Sequence, residues 1–364
     1  MKRHVRRQQK HNGRVASALD AVLARHRAGA APVVSFDPSS GGLIVFSDQH
    51  KGARDGADDF RRSERAYNAA LAYYFQKGHT LVELGDVEEL WEEMPSVVIA
   101  RYPRTFALTR RFESAGRYWR IFGNHDDLWS FPDAVKRLLH PVIGETLQVH
   151  ESVILELPVG KSICRLLLVH GHQGSTMSDG HAPLSRMLVR WLWRPVQRLT
   201  GWSPNTPARS WDLRNSHNQA MHRWAEEQSG LLLLAGHTHE PVFIGGSRVE
   251  QLERAIGRIG LPDGEADRSR LAALHAQLEW AMAERDDQKI PASKTEGQAS
   301  NAYFNTGCCC YSDGDITGIE IADGRVRLVR WPDNSGDPEP EVLASADLAE
   351  LIQAGPAAST VVAS

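Results

Sequence analysis

Short apolar runs alternate with helical patterns from residue 43 onward, and this alternation predicts a mixed α/β fold. The apolar runs predict strands at 43–46, 80–84, 118–122, 163–169, 231–235, 302–306, 316–321 and 325–331. Apolar residues at helical spacing predict helices over 14–28, 60–76 and 96–115. The basic segment 1–13 lacks this spacing, so we expect it to be disordered.

Five of these strands end at a side chain that can bind a metal ion. The candidate ligands are Asp48, His50, Asp86, Asn124, His170, His237 and His239. Because sites in open α/β sheets form at the carboxyl ends of strands, we expect these side chains to converge. One metal takes about four to six ligands, so seven candidates with a shared carboxylate suit two metals. Carboxylate, amide-oxygen and imidazole ligands suit Mn, Fe or Zn better than Ca or Mg.

The order of these motifs, D-x-H, GD, GNHD, H and GHxH, resembles the signature of the calcineurin-like metallophosphoesterases. The resemblance covers residues 43 to about 331. It implies a four-layer α/β/β/α sandwich with two divalent metals, manganese favoured. It also implies hydrolysis of a phosphoester or pyrophosphate by a metal-bridging hydroxide.

The same resemblance assigns a role to each site residue. The first metal would be held by Asp48, His50 and His239, and the second by Asn124, His170 and His237, with Asp86 bridging both. His125 would be catalytic, stabilising the transition state or protonating the leaving oxygen. Asp126 would orient the His125 ring.

A narrower resemblance involves GDVEELW at 85–91, which is similar to a stretch of the UDP-2,3-diacylglucosamine pyrophosphohydrolases. Those enzymes also carry a helical insertion before GHxH. This chain has His125 where that family usually has Arg, and His172 where its HGD motif has Asp. We therefore expect a relative whose substrate the sequence does not name.

The motifs predict a metallophosphoesterase domain over 41–335 with two insertions, 175–229 and 248–300. Residues 1–40 would form a basic tail and helix, and 336–364 a C-terminal tail. Within the first insertion, the segment 186–202 contains arginines at a spacing of four residues together with three tryptophans. This segment is either a solvated face or a lid that binds a lipid-linked substrate or a membrane surface. Residues 248–287 predict a helical hairpin for interaction or oligomerisation.

Several polar residues near the motifs have two interpretations. The acidic pairs 88–89 and 92–93 predict a solvated helix start, although Glu89 could instead fix a metal-binding histidine. His172 is expected to pack near the ligands, whereas His181, His217 and His222 are expected on the surface or in the lid. Cys308, Cys309 and Cys310 are expected to be packed structural thiols.

Composition and charge bear on which classes of partner and which cellular location to expect. The formal charge is −3, so no strong nucleic-acid signal arises from the whole chain. The four cysteines form no CxxC pair, and no signal peptide or spanning segment is evident. We expect a cytoplasmic location, with peripheral contact at the inner membrane face as the alternative.

Three other functions stay open at this point. The chain could be a protein or small-molecule phosphomonoesterase, a nucleic-acid phosphodiesterase, or a scaffold without catalysis. The favoured substrate is a phosphorylated small molecule, nucleotide-linked or lipid-linked.

Overall fold

The computed structural model describes residues 2–38, 41–160, 162–175, 211–244, 246–247, 303–333 and 338–353, with isolated positions between 256 and 282. The arginine and tryptophan segment 186–202 and His181 lie outside these residues, as does nearly all of the predicted hairpin 248–287. The interpretations of both segments stay predictions.

The described chain forms two sheets and the helices that cover them. The strands are β1 (Val33–Ser35), β2 (Leu43–Phe46), β3 (Thr80–Leu84), β4 (Tyr118–Ile121), β5 (Val149–His150), β6 (Ser152–Val159), β7 (Ser162–Val169), β8 (Leu231–Ala235), β9 (Pro241–Phe243), β10 (Gly246–Ser247), β11 (Tyr303–Thr306), β12 (Ile316–Ala322), β13 (Arg325–Trp331) and β14 (Glu341–Asp347). The helices are α1 (Lys2–Arg27), α2 (Phe60–Gln76), α3 (Pro95–Arg101), α4 (Pro103–Ser114), α5 (Trp211–Glu226) and α6 (Leu348–Gln353), with short turns at Asp127–Ser130, Pro132–Ala134 and Val135–Leu139.

Within the described residues each sheet has seven strands, and each contains a run of parallel strands that carries the candidate ligands. The first sheet has the order β1-β6-β7-β8-β11-β9-β10, in which β7, β8 and β11 are parallel. The second has the order β14-β13-β12-β2-β3-β4-β5, in which β2 to β5 are parallel. Parallel neighbours end at one edge of their sheet, so the loops after them meet there.

Three apolar clusters separate four layers. One lies between the sheets and contains residues such as Val45 and Val82 from the second sheet and Leu166 from the first. Helices α2 and α4 cover the outer face of the second sheet. Helices α1 and α5 cover the outer face of the first, where Leu19 and Met221 are buried. The predicted four-layer α/β/β/α architecture is therefore confirmed.

The structure departs from the sequence-based prediction at both ends of the chain. Residues 2–13, expected to be disordered, belong to α1. Residues 341–353, expected to be a tail, form β14 and α6, and β14 pairs with β13 at the sheet edge. Residues 211–226, assigned to the lid insertion, form α5 and pack in the core against α1. Among the described residues, no helix is long and apolar enough to cross a membrane.

Candidate metal centre

The loops that follow the parallel strands bond to one another through the backbone before their side chains meet. The N–H of Asp48 donates to the carbonyl of Gly85 at 3.1 Å, and the N–H of His50 donates to that of Asp86 at 2.9 Å. In the other sheet, the N–H of Gly236 donates to the carbonyl of His170 at 2.8 Å. These bonds extend the strand pairing into the loops, which gives the candidate ligands a rigid support.

The first group of candidate ligands consists of Asp48, His50 and His239. Their donor atoms all lie within 4.8 Å of one another. Asp48 Oδ1 lies 3.3 Å from His239 Nε2 and 3.8 Å from His50 Nε2. The two imidazole Nε2 atoms are 3.1 Å apart. One carboxylate and two imidazoles thus point to a common centre.

The second group consists of Asp86, His170 and His237, whose donor atoms also lie within 4.8 Å of one another. Asp86 Oδ2 lies 3.1 Å from His170 Nε2 and 3.7 Å from His50 Nε2. Asp86 therefore contacts a histidine of each group, which is the position that a bridging carboxylate occupies.

Several donor atoms at this edge lack a hydrogen bond, which is the test of whether cations fit here. Asn124 Oδ1 is buried with no hydrogen-bond partner in the described chain. Asp48 Oδ1 and His170 Nε2 are also buried without a hydrogen bond, although they lie 3.3 Å from His239 Nε2 and 3.1 Å from Asp86 Oδ2. The other ring nitrogen of His170, Nδ1, donates to the carbonyl of Leu84 at 2.8 Å, so Nε2 is turned toward Asp86. Buried polar atoms without partners are costly. The donor set of oxygens and imidazole nitrogens fits divalent cations such as Mn, Fe or Zn.

The backbone is strained at the same residues. Eight non-glycine residues of the described chain have positive φ, and five of them are Asp48, His50, Asp86, His237 and His239. Such conformations cost of order 1–3 kcal/mol each and persist where the surroundings impose them. Their concentration at one edge points to function rather than to a requirement of the fold.

Electrostatic coupling ties the two groups together. Burial lowers the pKa of His170, but the carboxylates of Asp86 and Asp48 raise it to about 9. His239 behaves in the same way, because Asp48 opposes the effect of burial and raises the pKa to about 9. Burial and the neighbouring His170 lower the pKa of His237 well below its usual range. Bound cations would therefore displace protons from His170 and His239 at neutral pH.

His125 lies beside the first group, held by a glutamate and a tryptophan. Its Nδ1 lies 2.9 Å from Glu89 Oε1, and its ring stacks on Trp91 at 4.1 Å between centroids. Glu89 Oε2 lies 3.0 Å from His50 Nδ1. Burial opposes ionisation of Glu89, but His125 lowers the pKa of its carboxyl to about 2. The alternative interpretation of Glu89, that it fixes a histidine of the site, is the one that the contacts support.

The hydrogen bonds of Asp126 differ from the predicted contact with His125. Its carboxylate accepts hydrogen bonds from the backbone N–H groups of Gly123 at 2.6 Å and Val87 at 3.0 Å, and from Arg120 at 3.2 Å. His125 Nδ1 lies at hydrogen-bond distance from Glu89. Asp126 instead ties the loop after β4 to the loop that carries Asp86.

A buried ionic network lies beneath this loop pair. Arg120 is fully buried and contacts Glu83 at 3.3 Å, Glu88 and Asp126. Lys51, also buried, lies 3.4 Å from Glu83. Glu88 is therefore a partner in the core, and the predicted solvated helix start at 88–89 is wrong.

Two further histidines lie behind the second group. His172 packs near His170 and His237, with ring centroids 5.5 and 6.4 Å away, as expected of a packing neighbour. His217, predicted to lie on the surface or in a lid, is buried, and its Nε2 donates to the carbonyl of Gly171 at 2.6 Å. The signal that was missed is its position on α5, which the sequence-based prediction assigned to an insertion.

The cysteine run follows β11 at the same edge. Cys309 is buried and its Sγ lies 3.8 Å from the carbonyl oxygen of Thr317, which fits the predicted structural thiol. Cys310 Sγ instead lies 3.9 Å from His239 Nδ1, and Cys308 belongs to the same cluster. Of the three, the middle cysteine is the one whose thiol does not belong to this cluster.

Comparisons with known proteins give fold likenesses at low identity. No known family model matches the sequence. No curated protein matches it significantly. A conserved uncharacterised protein from Streptococcus pneumoniae TIGR4, described as a predicted phosphoesterase, is 11% identical with a TM-score of 0.29, over 83% of this chain and 97% of that chain. Vacuolar protein sorting 29 from Cryptosporidium parvum is 11% identical with a TM-score of 0.32, over 84% and 98%. A cold-active protein tyrosine phosphatase is 11% identical with a TM-score of 0.34, over 85% and 80%. These TM-scores are too low to support an inference about function, so the function has to be inferred from the site geometry of this chain.

Proposed function

We propose that this chain is a metal-dependent phosphoric ester hydrolase of the calcineurin-like metallophosphoesterase type. The observation that carries the proposal is the pair of ligand groups joined across Asp86, whose Oδ2 lies 3.1 Å from His170 Nε2 and 3.7 Å from His50 Nε2. The unpartnered donor atoms and the strained backbone at the same residues support it. Hydrolysis of a phosphoester or pyrophosphate is the reaction that such a pair of sites serves best.

The ligand assignment follows from the two groups. Asp48, His50 and His239 would hold one divalent ion, and His170 and His237 with Asn124 would hold the other, with Asp86 shared. Bound there, the ions would polarise the phosphoryl oxygens and supply hydroxide near neutral pH. Manganese remains the favoured metal, on the chemistry of the donor set.

In this proposal, His125 moves the proton. Its Nδ1 is engaged by Glu89, so Nε2 is the ring atom left to exchange a proton with the leaving oxygen. Trp91, stacked against one face of the ring, restricts its rotation. General acid help of this kind contributes roughly 10²–10⁴ in rate.

The test is an assay of the full chain, first stripped of metal with a chelator and then reloaded with Mn²⁺. The substrates are an aryl phosphomonoester, a bis-aryl phosphodiester and a UDP-sugar pyrophosphate. Their ranking distinguishes a monoesterase from a diesterase or pyrophosphatase.

Asp86→Asn should lower turnover by more than about 100-fold. Removal of a residue that only hydrogen-bonds to a metal ligand already costs about 10–100-fold, and Asp86 is itself a proposed ligand. Asp133→Asn, at an exposed carboxylate outside the site, should leave turnover unchanged. Metal-independent turnover, or full turnover in Asp86→Asn, would rule the proposal out.

A further inference from the structure

Cys308 and Cys310 lie on the side of His239 that faces away from Asp48. The two Sγ atoms and a ring nitrogen of His239 lie within 4.8 Å of one another. The nitrogen nearest the thiols is Nδ1, 3.9 Å from Cys310 Sγ, whereas Nε2 lies 3.3 Å from Asp48 Oδ1. The imidazole therefore separates a cluster of oxygens and nitrogens from a cluster of thiols.

The spacing of the thiol cluster is near that of a soft-metal site. Zinc binds sulfur at about 2.3 Å and imidazole nitrogen at about 2.0–2.1 Å, so donors in a tetrahedral site lie roughly 3.3–3.8 Å apart. Small side-chain rotations would bring the three donors to this separation. Two thiolates and one imidazole form a softer donor set than that of the proposed hydrolytic centre.

The turn that carries the cysteines is fixed from two sides. The N–H of Cys309 donates to the carbonyl of Asp48 at 3.1 Å, and the N–H of Thr317 donates to the carbonyl of Cys308 at 3.0 Å. Gly307, at φ +77°, begins the turn, and a Cβ there would lie 2.1 Å from Thr317 Oγ1. The backbone thus holds the first and third cysteines at His239 without a metal.

The middle cysteine points elsewhere. Cys309 belongs to the apolar cluster on the outer face of the second sheet, with neighbours such as Phe46 and Ile316. It has the same chemistry and lies in the same turn, but it does not belong to the thiol cluster at His239. Cys309 is therefore a matched control for its two neighbours.

We propose that Cys308, Cys310 and His239 Nδ1 form a third cation site, which takes a soft divalent ion such as Zn²⁺ or Cd²⁺. Binding forms two metal–sulfur bonds and one metal–nitrogen bond. Because Nε2 of His239 serves the hydrolytic centre, Nδ1 carries the ring proton. This proton and those of the two thiols pass to solvent, the ring becomes an imidazolate shared by both ions, and no oxidation state changes. A solvent molecule fills the fourth position. The site goes beyond the proposed hydrolytic function and shares only His239 with it.

The experiment titrates Cd²⁺ into the Mn²⁺-loaded full chain and follows the ultraviolet sulfur-to-cadmium charge-transfer absorbance. This band requires a metal–thiolate bond, so Cd²⁺ that replaces Mn²⁺ among oxygen and nitrogen ligands does not contribute. The band should saturate at about one equivalent of Cd²⁺ per chain. A chain that shows the band but has no Mn²⁺-dependent hydrolysis before Cd²⁺ is added would reject the proposed function alone.

Variants identify the sulfur atoms. Cys310→Ser, at a half-buried position, and Cys308→Ser should each reduce the saturating absorbance to about half, because one of the two thiolate bonds is lost. Cys309→Ser should leave it unchanged. No band in the native chain, or a band that survives in the Cys308→Ser/Cys310→Ser double variant, would overturn the site. A folded Cys310→Ser chain with the full native band would overturn it equally.

Discussion

At the scale of single residues, the carboxylate of Glu89 contacts two histidines with different proposed roles, the metal ligand His50 and the proton donor His125. Glu89 Oε2 lies 3.0 Å from His50 Nδ1 and 2.7 Å from His125 Nδ1, and Glu89 Oε1 lies 2.9 Å from His125 Nδ1. Its side chain is 15% exposed, so water competes little for these bonds. Through these two contacts, Glu89 fixes the orientation of a candidate metal ligand and of the candidate proton donor together.

Glu89→Gln is the prediction at this scale. The amide lacks the negative charge that strengthens both hydrogen bonds, and it places an N–H donor where the carboxylate has its second oxygen. We expect turnover to fall by about 10–100-fold, together with weaker Mn²⁺ binding, because His50 is one of the two rings affected. Glu145→Gln, at an exposed position, serves as the control, and unchanged turnover in Glu89→Gln would contradict the positioning role.

The sequence predicted the converging side chains better than the contacts of their neighbours. The ligand candidates could be predicted because each follows an apolar strand, and parallel strands end at one edge. The choice between Asp126 and Glu89 could not be predicted, because adjacent residues point in different directions according to loop backbone. Cys308 and Cys310 did carry a signal, since they follow β11 at the same edge and alternate about Cys309.

At the scale of elements, strand β4 and its loop depend on a buried arginine. Arg120 contacts Glu83 on β3, Glu88 after β3 and Asp126 after β4. Burial lowers the pKa of Arg120, but Glu88 and the other acids outweigh this effect and raise it well above its usual range. The network fixes the loops that carry Asp86 and His125.

Arg120→Met should therefore destabilise the fold strongly. Removing one partner of a buried ion pair costs about 3–5 kcal/mol in free energy of unfolding, because the remaining charges stay buried. Urea denaturation measures the difference. Arg117→Met is the matched comparison, since that half-buried guanidinium donates to the His79 carbonyl and has no acid partner among its hydrogen bonds in the described chain. Equal losses in the two variants would contradict the network.

The elements that were predicted well are the buried ones. Strands β2, β3 and β8 are buried along their whole length, so their apolar runs gave their bounds. Helix α1 begins earlier than predicted because polar contacts with α5 continue the packing, such as Ser216 Oγ donating to Gln8 Oε1 at 2.8 Å. Strand β14 has one buried position, Leu343, so its pattern carries little apolar signal.

At the scale of the whole molecule, the candidate centre joins the two sheets. One sheet supplies Asp48, Asp86 and their neighbours, and the other supplies the loops after β7 and β8. Cations held between them would bind the folded state and not the unfolded chain, so they would stabilise the fold by mass action.

Chelation should therefore lower the thermal midpoint. At free Mn²⁺ about 1,000-fold above the dissociation constant, each site contributes about 4 kcal/mol at most. Differential scanning calorimetry with Mn²⁺, and then with excess chelator, measures the shift. Asp86→Ala should show a smaller shift than the native chain, and an equal shift in both would argue against a shared ligand.

Acid should destabilise the fold through His79, remote from the candidate centre. Burial lowers its pKa, and neither ring nitrogen has a hydrogen-bond partner in the described chain. The unfolded chain binds the extra proton below about pH 6.5. The stability that neutral His79 provides is complete above that pH and decreases as the pH falls toward the folded-state pKa. In His79→Leu, the free energy of unfolding should fall less steeply over this window, whereas an unchanged slope would contradict the assignment.

The number of Mn²⁺ ions bound per chain tests the central claim most directly. Equilibrium dialysis of the metal-stripped full chain against Mn²⁺, followed by elemental analysis, gives this number. The two ligand groups joined through Asp86 predict about two ions in the native chain and in Asp133→Asn, and fewer in Asp86→Ala. Binding of no Mn²⁺ by the native chain, or the same number in Asp86→Ala, would contradict the account.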